Sequence, residues 1–220
     1  MAVPLKEKIK TLIELFKDPK LFRTLLSLEH SQYLVEVGWI NSFKLKSPVD
    51  KNKNPIPWLT YPFIHFISPR LKNAMTIFEF GSGNSTLFYA GKVGKVFTVE
   101  HNLGWYEKLK KSLPGNVQLY YKDLVENGEY SHFAADLNIK FNMIIVDGED
   151  RNNCIKYSLV ALDDDGIIIL DDSEREEYKE AIDFLRCNSF KQLDFWGIAA
   201  NVIFKKCTTV FYKNENCLGV

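Results

Sequence analysis

The residues with the clearest chemical potential surround a pair of glycines that follows a short apolar run. The segment "IFEFGSGNST" (77–86) contains Gly81, Ser82 and Gly83 and carries an acid, Glu79, two residues before the first glycine. Gly81 allows a tight turn, and Gly83 removes a side chain, so ligand atoms can approach the backbone before a helix begins at residues 84–86. An ordinary turn is the alternative for so short a motif taken alone.

The second feature is an acid at the end of the next apolar run, "KVFTVE" (95–100). Glu100 lies 19 residues after Gly81, the spacing at which an acid on the neighbouring strand binds the hydroxyls of a ribose. The pair therefore predicts a nucleoside site, for either a dinucleotide or S-adenosylmethionine. Thr86 replaces the third glycine of a dinucleotide fingerprint, and Glu79 suits a ligand with an ammonium and a sulfonium better than a pyrophosphate.

Carboxylates also end two later apolar runs, "FNMIIVD" (141–147) and "GIIILDD" (166–172). Asp147 is a candidate general base or a carboxylate that orients the ligand. Arg151 is expected to pair with a nearby aspartate or to grip an anionic substrate. Asp147, Asp171 and Asp172 are the alternative for a Mg²⁺ or Ca²⁺ site, but the pattern "DDSEREEY" favours a cap of the following helix by Asp172 or Ser173, so no metal is predicted.

Strand-like and helix-like patterns alternate from residue 76 onwards. The predicted strands carry the candidate site residues at or near their ends. Five short apolar runs alternate with helical patterns, which predicts right-handed crossovers and a doubly wound, mostly parallel sheet. Two further strand-like runs, "FKQLDFWG" and "CTTVFYK", follow a charged helix. Only a loop joins them, so they are expected to be antiparallel. The predicted fold is α/β and Rossmann-like, with seven strands, an antiparallel last strand and a helical N-terminal extension.

The N-terminal part divides from the rest at about residue 70. Apolar residues at three- and four-residue steps predict an amphipathic helix broken near Asp18-Pro19, with the helical piece ending near residue 45. A proline-rich linker follows, and its Trp58, Tyr61 and Phe63 are candidates for a lid over the substrate or for a hydrophobic seam. We predict an extension over residues 1–70, acting as a lid or a dimer arm, and a cofactor-binding domain over residues 71–220.

Composition restricts the partners. Basic and acidic residues both number 28, so no bulk charge attracts nucleic acid or a membrane surface. The four cysteines form no CxxC pair, the first residues "MAVPLKEKIK" lack the apolar core of a signal peptide, and no apolar run is long enough to span a membrane. A cytoplasmic protein is expected, with a homodimer through the N-terminal helices as a further expectation.

The order of these motifs resembles the class I S-adenosylmethionine-dependent methyltransferases over roughly residues 70–213. "FEFGSGNST" is similar to their first motif, "VEH" to the acid-tipped second strand, "YYKD" to the third-strand region near the adenine, and "IIVDGEDR" to the fourth-strand motif. The segments "VDGEDRNNC", "ILDDSER" and "PIPWLTYP" resemble a bacterial subgroup of mostly unassigned methyltransferases. The carboxylate cluster resembles the metal site of catechol-type O-methyltransferases, although Asp-Asp-Ser stands where those enzymes have an acid followed by Asn.

From their positions, Asp147 and Arg151 are the candidate catalytic residues, and Trp58, Tyr61 and Asp172 are the candidates for contact with the substrate. The resemblance adds the cofactor residues. S-Adenosylmethionine would be bound by the first glycine turn, the tips of the next strands and the first helix, that is by Glu79, Gly81, Ser82, Gly83, Asn84, Ser85, Glu100, His101, Asp123, Asp147 and Gly148.

The predicted function is methyl transfer from S-adenosylmethionine to a small hydroxylated or amino acceptor, such as a carbohydrate or a secondary-metabolite precursor. Two alternatives remain. One is an NAD-dependent oxidoreductase of the Rossmann type, which Thr86 argues against. The other is a non-catalytic nucleoside-binding or dimerisation module. A basic surface or a base-flipping signature, which nucleic-acid methylation would require, is not visible in the sequence.

Overall fold

The structure is a computed structural model, and it describes residues 4–220. The first three residues of the predicted extension, and of the segment tested for a signal peptide, lie outside the described residues. A single seven-stranded sheet forms the centre of the fold, with strand order β3-β2-β1-β4-β5-β7-β6. The strands are β1 (Thr76–Phe80), β2 (Lys95–Glu100), β3 (Val117–Tyr121), β4 (Phe141–Val146), β5 (Leu162–Asp171), β6 (Lys191–Gly197) and β7 (Lys206–Tyr212).

Strand directions match the predicted fold class. Strands β1 to β5 pair in parallel, whereas β7 runs antiparallel to both of its neighbours, β5 and β6. Six strands are therefore parallel and only β7 is reversed, which confirms the prediction of an antiparallel last strand. Strand β5 begins four residues before the predicted run at Gly166, and its pairing with β4 shifts register between Phe141 and Met143.

The alternation of residues along the central strands explains why both faces of the sheet are covered. Phe78 aligns with Phe97 on β2 and Ile144 on β4, and all three belong to the core on one face. Ile77, the preceding residue, belongs to the core on the opposite face. Because successive side chains in a strand point to opposite faces, such continuous apolar runs need helices on both sides.

Ten α-helices occur in residues 4–220, five in the extension and five between the strands. Those of the extension are α1 (Leu5–Lys17), α2 (Pro19–Ser27), α3 (Tyr33–Glu36), α4 (Trp39–Leu45) and α5 (Tyr61–Ile67). Those of the sheet domain are α6 (Asn84–Ala90), α7 (Leu103–Leu109), α8 (Glu129–Asp136), α9 (Arg151–Ser158) and α10 (Lys179–Cys187). None of these helices is long and apolar enough to cross a membrane.

The break near Asp18-Pro19 has a clear local cause. Asp18 Oδ1 accepts hydrogen bonds from the backbone N–H groups of Lys20 and Leu21, and Pro19 occupies the first turn of α2, where a missing N–H costs nothing. The helical piece ends at Leu45, as predicted. Helices α1 and α2 bury none of their residues, so their apolar faces are exposed.

The end of the predicted linker is helical, which corrects its assignment as a loop. Tyr61 and Phe63 lie in α5, are fully buried, and pack in the core on one face of the sheet. Phe63 contacts the ring of Phe195 on β6 edge to face. The pattern was missed because prolines at positions 55, 57 and 62 dominate the segment, although proline in the first turn of a helix is well tolerated.

Candidate functional site

The turn after β1 brings the tips of β1 and β4 into close contact. Gly81 has a φ of +92°, and a Cβ atom there would lie 3.3 Å from the Cα and N atoms of Gly148. Both features favour glycine, because residues with side chains rarely adopt this conformation. Gly148 is restricted further, since a Cβ there would lie 2.0 Å from the hydroxyl of Tyr130.

A buried acid fixes the start of α6. The Thr86 hydroxyl donates to Glu79 Oε2 at 2.5 Å and accepts from the Gly83 N–H at 3.0 Å. Glu79 is only 1% exposed, and burial raises its pKa to about 7. Glu79 therefore acts on the turn through Thr86, which explains why threonine occupies the position of the third glycine in a dinucleotide fingerprint.

Gly83 is in extended backbone, with a φ of 164°. A Cβ atom there would meet nothing closer than the Trp105 ring at 3.8 Å, an ordinary contact. The fold alone does not require glycine at this position. The space beside Gly83 belongs to a cavity, as expected for a backbone that a ligand approaches.

Glu100 is held at the tip of β2 by three hydrogen bonds. Its Oε1 accepts from the backbone N–H groups of His101 at 3.0 Å and Asn102 at 2.8 Å, and its Oε2 accepts from the Ser82 hydroxyl at 2.7 Å. The residue is 5% exposed. Glu100 and the glycine turn therefore form one unit, as their spacing in the sequence predicts.

His101 follows Glu100 and faces the cavity. Its Nδ1 lies 3.5 Å from Glu100 Oε1 and is buried without a hydrogen-bond partner in residues 4–220. The imidazole contacts the Tyr130 ring edge to face, with centroids 5.7 Å apart.

Trp105 is a site residue that sequence reasoning missed. Its indole N–H donates to the backbone carbonyl of Ser82 at 2.7 Å, and the side chain is 40% exposed at the edge of the cavity. Asn102 caps α7 by accepting from the Trp105 backbone N–H, which fixes the first turn of the helix that carries the ring. The available signal was a large aromatic residue in the first turn of the helix after the acid-tipped strand.

The tip of β4 presents Asp147 to the cavity. Its side chain is 24% exposed, and Arg151 Nη2 lies 3.4 Å from its Oδ1. Burial among protein atoms, followed by repulsion from Asp171, raises its pKa well above the ordinary value despite the opposing effect of Arg151. Asp147 therefore holds a proton more strongly than an ordinary aspartate.

Arg151 is committed to backbone carbonyls. Its Nε donates to Gly148 at 2.8 Å, its Nη1 to Asp171 at 2.6 Å and its Nη2 to Asp147 at 3.4 Å. The residue is buried. Arg151 thus joins the tips of β4 and β5, and its role in the structure is to position these two strand ends.

Asp171, the last residue of β5, and Asp172, which follows it, share one cation. Lys206 Nζ, at the start of β7, lies 2.6 Å from Asp171 Oδ2 and 2.6 Å from Asp172 Oδ1. Asp172 also pairs with Arg175 at 2.6 Å. The described residues contain no group of three or more His, Cys, Asp or Glu side chains arranged to hold a metal ion. Lys206 was not recognised from the sequence.

These elements surround a cavity of about 770 Å³ at the carboxyl edge of the sheet. Predicted residues that line it are Trp58, Ser82, Gly83, Asn84, Ser85, His101, Asp147, Asp171 and Asp172. Glu79, Gly81, Glu100 and Gly148 lie directly behind this lining. The structure therefore brings most of the predicted cofactor residues together.

The N-terminal extension supplies one wall of the cavity. Asn84 Nδ2 donates to Ser47 Oγ at 3.0 Å and to the Pro48 carbonyl at 2.6 Å, and Lys46, Ser47 and Pro48 line the cavity beside Trp58. Val202 and Phe204, from the loop between β6 and β7, also line the cavity.

Two predicted residues lie elsewhere. Tyr61 is buried in the core and borders a different cavity, beside α3 and α6. Asp123 is exposed, accepts a 2.5 Å hydrogen bond from the Tyr121 hydroxyl, and borders a separate shallow cavity beyond β3. The structure does not bring either residue to the main cavity.

Comparisons with known proteins give structural matches only. No known family model and no curated protein matches the sequence. A ribosomal RNA methylase from Streptococcus thermophilus is similar with a TM-score of 0.53 and 17% identity, over 68% of this chain and 92% of the methylase. A proposed methyltransferase from Streptococcus mutans, in complex with S-adenosylhomocysteine (SAH), has a TM-score of 0.52 and 15% identity, over 70% of this chain and 99% of that one.

Spermidine synthase from Thermotoga maritima is also similar, with a TM-score of 0.53 and 13% identity, over 70% of this chain and 58% of the synthase. At these identities the similarity establishes the fold and leaves the activity open. The bacterial subgroup suggested by "VDGEDRNNC" and "ILDDSER" stays a prediction. The chain has the seven-stranded Rossmann-like fold of the class I S-adenosylmethionine-dependent methyltransferases.

Proposed function

We propose that the protein is an S-adenosylmethionine-dependent methyltransferase. The observation that carries the proposal is the 2.7 Å hydrogen bond between Ser82 and Glu100 at the wall of the cavity. It places a carboxylate beside a glycine turn, where a nucleoside can contact both. Glu100 Oε2 accepts one hydrogen bond, from the Ser82 hydroxyl. A carboxylate oxygen can accept a further hydrogen bond from a ligand.

The chemistry of the turn supports this cofactor over a dinucleotide. A pyrophosphate would approach Glu79, a buried acid with few compensating charges, whereas a cationic ligand stabilises its ionised form. Thr86 is required to connect Glu79 with the Gly83 N–H, so the third glycine of a dinucleotide site is absent for a structural reason. The sulfonium of S-adenosylmethionine would supply an activated methyl group.

Each nearby residue then has a role. Glu100 binds the ribose hydroxyls, while Ser82, Gly83 and His101 form the wall that contacts the nucleoside. Asp147 accepts or orients the proton of the acceptor, a role that its raised pKa favours.

We propose a small-molecule acceptor, methylated on oxygen or nitrogen. A cavity of about 770 Å³ is of the size that small-molecule sites have, and the balanced net charge gives no general attraction for RNA. Carbohydrates and precursors of secondary metabolites belong to this class. The names of some similar proteins give a macromolecular substrate, as for the ribosomal RNA methylase.

Calorimetric titration of the protein with S-adenosylmethionine, SAH, NAD and NADH tests the cofactor. We expect dissociation constants on the order of 10 µM for the first two and no measurable binding of the others. Binding of NAD alone would establish the oxidoreductase alternative. If none of the four ligands binds measurably, a non-catalytic module would be favoured.

Dimerisation through the N-terminal helices is a separate proposal, as is a cytoplasmic location. Ile9 and Ile13 lie on the exposed apolar face of α1, each about half exposed. Light scattering should give twice the monomer mass for the wild-type protein and the monomer mass for Ile9→Asp/Ile13→Asp. A monomeric wild-type protein would refute the dimer. The four cysteines are free thiols, as expected in a reducing compartment.

A further inference from the structure

The antiparallel β7 brings a lysine to the ligand-binding edge of the sheet. Ligands bind beyond the carboxyl ends of parallel strands. Because β7 is reversed, its amino end lies at this edge, where Asp171 of β5 pairs with Thr208. Lys206, the first residue of β7, therefore stands beside the tip of β5 although it follows Asp171 by 35 residues.

Several contacts hold this junction in place. The Thr208 hydroxyl donates to Asp171 Oδ1 at 2.6 Å and accepts from the Thr60 N–H at 3.1 Å. The Cys207 N–H donates to Glu174 Oε2 at 2.8 Å, and the Cys207 carbonyl accepts from the Ser173 N–H at 3.1 Å. The turn after β5 is therefore fixed against the start of β7.

Asp172 adopts a left-handed backbone conformation, with a φ of +51°. Its carboxylate can consequently reach the same ammonium as the carboxylate of Asp171, at 2.6 Å in each case. Such a conformation is uncommon outside glycine, asparagine and aspartate. The backbone of this turn is thus arranged so that two adjacent carboxylates converge on Lys206.

Three cations lie beside the carboxylates at this edge. Asp147, Asp171 and Asp172 face three cations, Arg151, Lys206 and Arg175. Lys206 has a side chain only 8% exposed. Burial disfavours its charge, but attraction to Asp171 and Asp172 outweighs burial and keeps its pKa above the ordinary value. Asp171 and Asp172 are therefore already paired with cations of the protein itself.

A divalent ion does not fit this arrangement. An ion bound by Asp171 and Asp172 would occupy the space of the Lys206 ammonium and would be repelled by it and by Arg151. We propose that the Lys206 ammonium takes the position of the cation in this carboxylate cluster, which makes the site independent of metal ions.

The Lys206 ammonium also has an N–H group that points to neither Asp171 nor Asp172. An ammonium group has three N–H bonds, and Asp171 and Asp172 use two of them. No hydrogen bond or ion pair within residues 4–220 uses the third, and Lys206 lines the main cavity. On the methyltransferase function proposed above, an acceptor oxygen in this part of the cavity would meet an N–H donor instead of a metal ion.

The test is a titration with Mn²⁺, followed by electron paramagnetic resonance, of the wild-type chain and of Lys206→Ala and Lys205→Ala. Lys205 is the exposed neighbour and lies over the Trp196 ring, which makes it a matched control. Only Lys206→Ala should bind Mn²⁺ at a single site, at least about tenfold more tightly than the other two proteins, because it exposes converging carboxylates. Lys206→Met, which removes the ammonium but keeps most of the side-chain volume, is used if the alanine variant does not fold.

Equal Mn²⁺ binding by the wild-type protein and the Lys206 variant would overturn the proposal. So would a folded Lys206 variant that gains no Mn²⁺ affinity. SAH is titrated in EDTA into the wild-type protein and Lys205→Ala, and we expect the same affinity in both. Failure of the wild-type protein to bind SAH would refute the proposed function, and the Mn²⁺ comparison would still decide the role of Lys206.

Discussion

The Ser82 hydroxyl donates a 2.7 Å hydrogen bond to Glu100 Oε2 and so joins the turn after β1 to the tip of β2. Trp105 reaches back from α7 to the carbonyl of the same serine at 2.7 Å. The glycine turn is therefore fixed by contacts from the neighbouring strand and from its helix. A turn held in this way needs little rearrangement when a ligand binds, which favours affinity.

Trp105→Phe removes the indole N–H and keeps an aromatic ring. We expect SAH affinity to fall about fivefold, corresponding to the loss of a hydrogen bond worth ~1 kcal/mol. Trp196→Phe, on β6 and also half-exposed, is the control and should bind like the wild-type protein. Calorimetry measures both. Unchanged affinity in Trp105→Phe would mean that the indole does not stabilise the binding turn.

Glu79 should make stability depend on pH. Its pKa is about 7 in the folded protein against 4.5 as the ordinary value, so the folded state holds the proton more strongly. Its contribution is fully present below pH 4.5 and decreases as the pH rises towards 7, by about 3 kcal/mol in total. Urea unfolding at pH 5 to 8 should show this decrease in the wild-type protein relative to Glu79→Gln. If the free energy of unfolding depends on pH in the same way in both proteins, Glu79 does not have a raised pKa in the folded state.

Gly148→Ala places a methyl group against the Tyr130 hydroxyl, at 2.0 Å if nothing moves. We expect a loss of about 1–3 kcal/mol in the free energy of unfolding, as for other overpacked sites. Tyr130→Phe removes the clashing oxygen, so the double variant should recover part of the loss. Contacts of the new methyl with Gly81 N at 3.1 Å keep the recovery incomplete. A double-mutant cycle without coupling would refute this explanation of Gly148.

Asn84→Asp should release the segment that forms the N-terminal wall. The change replaces a donor to Ser47 and Pro48 with a carboxylate facing their oxygen atoms. Trypsin should then cut faster after Lys46, Lys51 and Lys53, and SAH affinity should fall only a few-fold, about 1 kcal/mol or less. Asn73→Asp, in the exposed turn before β1, is the control. Equal cleavage rates in both variants would show that Asn84 does not hold the segment.

Much of the fold and of the nucleoside side of the site follows from local patterns. Strand tips in a parallel sheet meet at one edge, so the spacing from Gly81 to Glu100 was enough to place the two together. The bounds of β2 were predicted correctly because its apolar run is continuous and ends at a charged residue. The antiparallel β7 followed from the short connection to β6.

The missed residues depend on contacts between distant segments. Lys206 meets Asp171 only because β7 pairs with β5 in one register, and no local pattern specifies that register. Tyr61 is an aromatic residue of the kind that can form a lid, but it lies in α5 and packs in the core. Trp105 is placed by the cap that Asn102 provides, a detail of geometry rather than of composition.

The most direct test of the proposed cofactor is the dissociation constant of SAH for Glu100→Gln, compared with the wild-type protein and Glu107→Gln. Glutamine keeps the size of Glu100 and an acceptor for the His101 and Asn102 N–H groups, but it removes the charge and the second acceptor that a ribose diol needs. Glu107 lies exposed on α7 and controls for loss of charge alone. We predict that Glu100→Gln weakens binding at least about 50-fold while Glu107→Gln leaves it unchanged. Wild-type affinity in a folded Glu100→Gln would contradict the assignment of this site to S-adenosylmethionine.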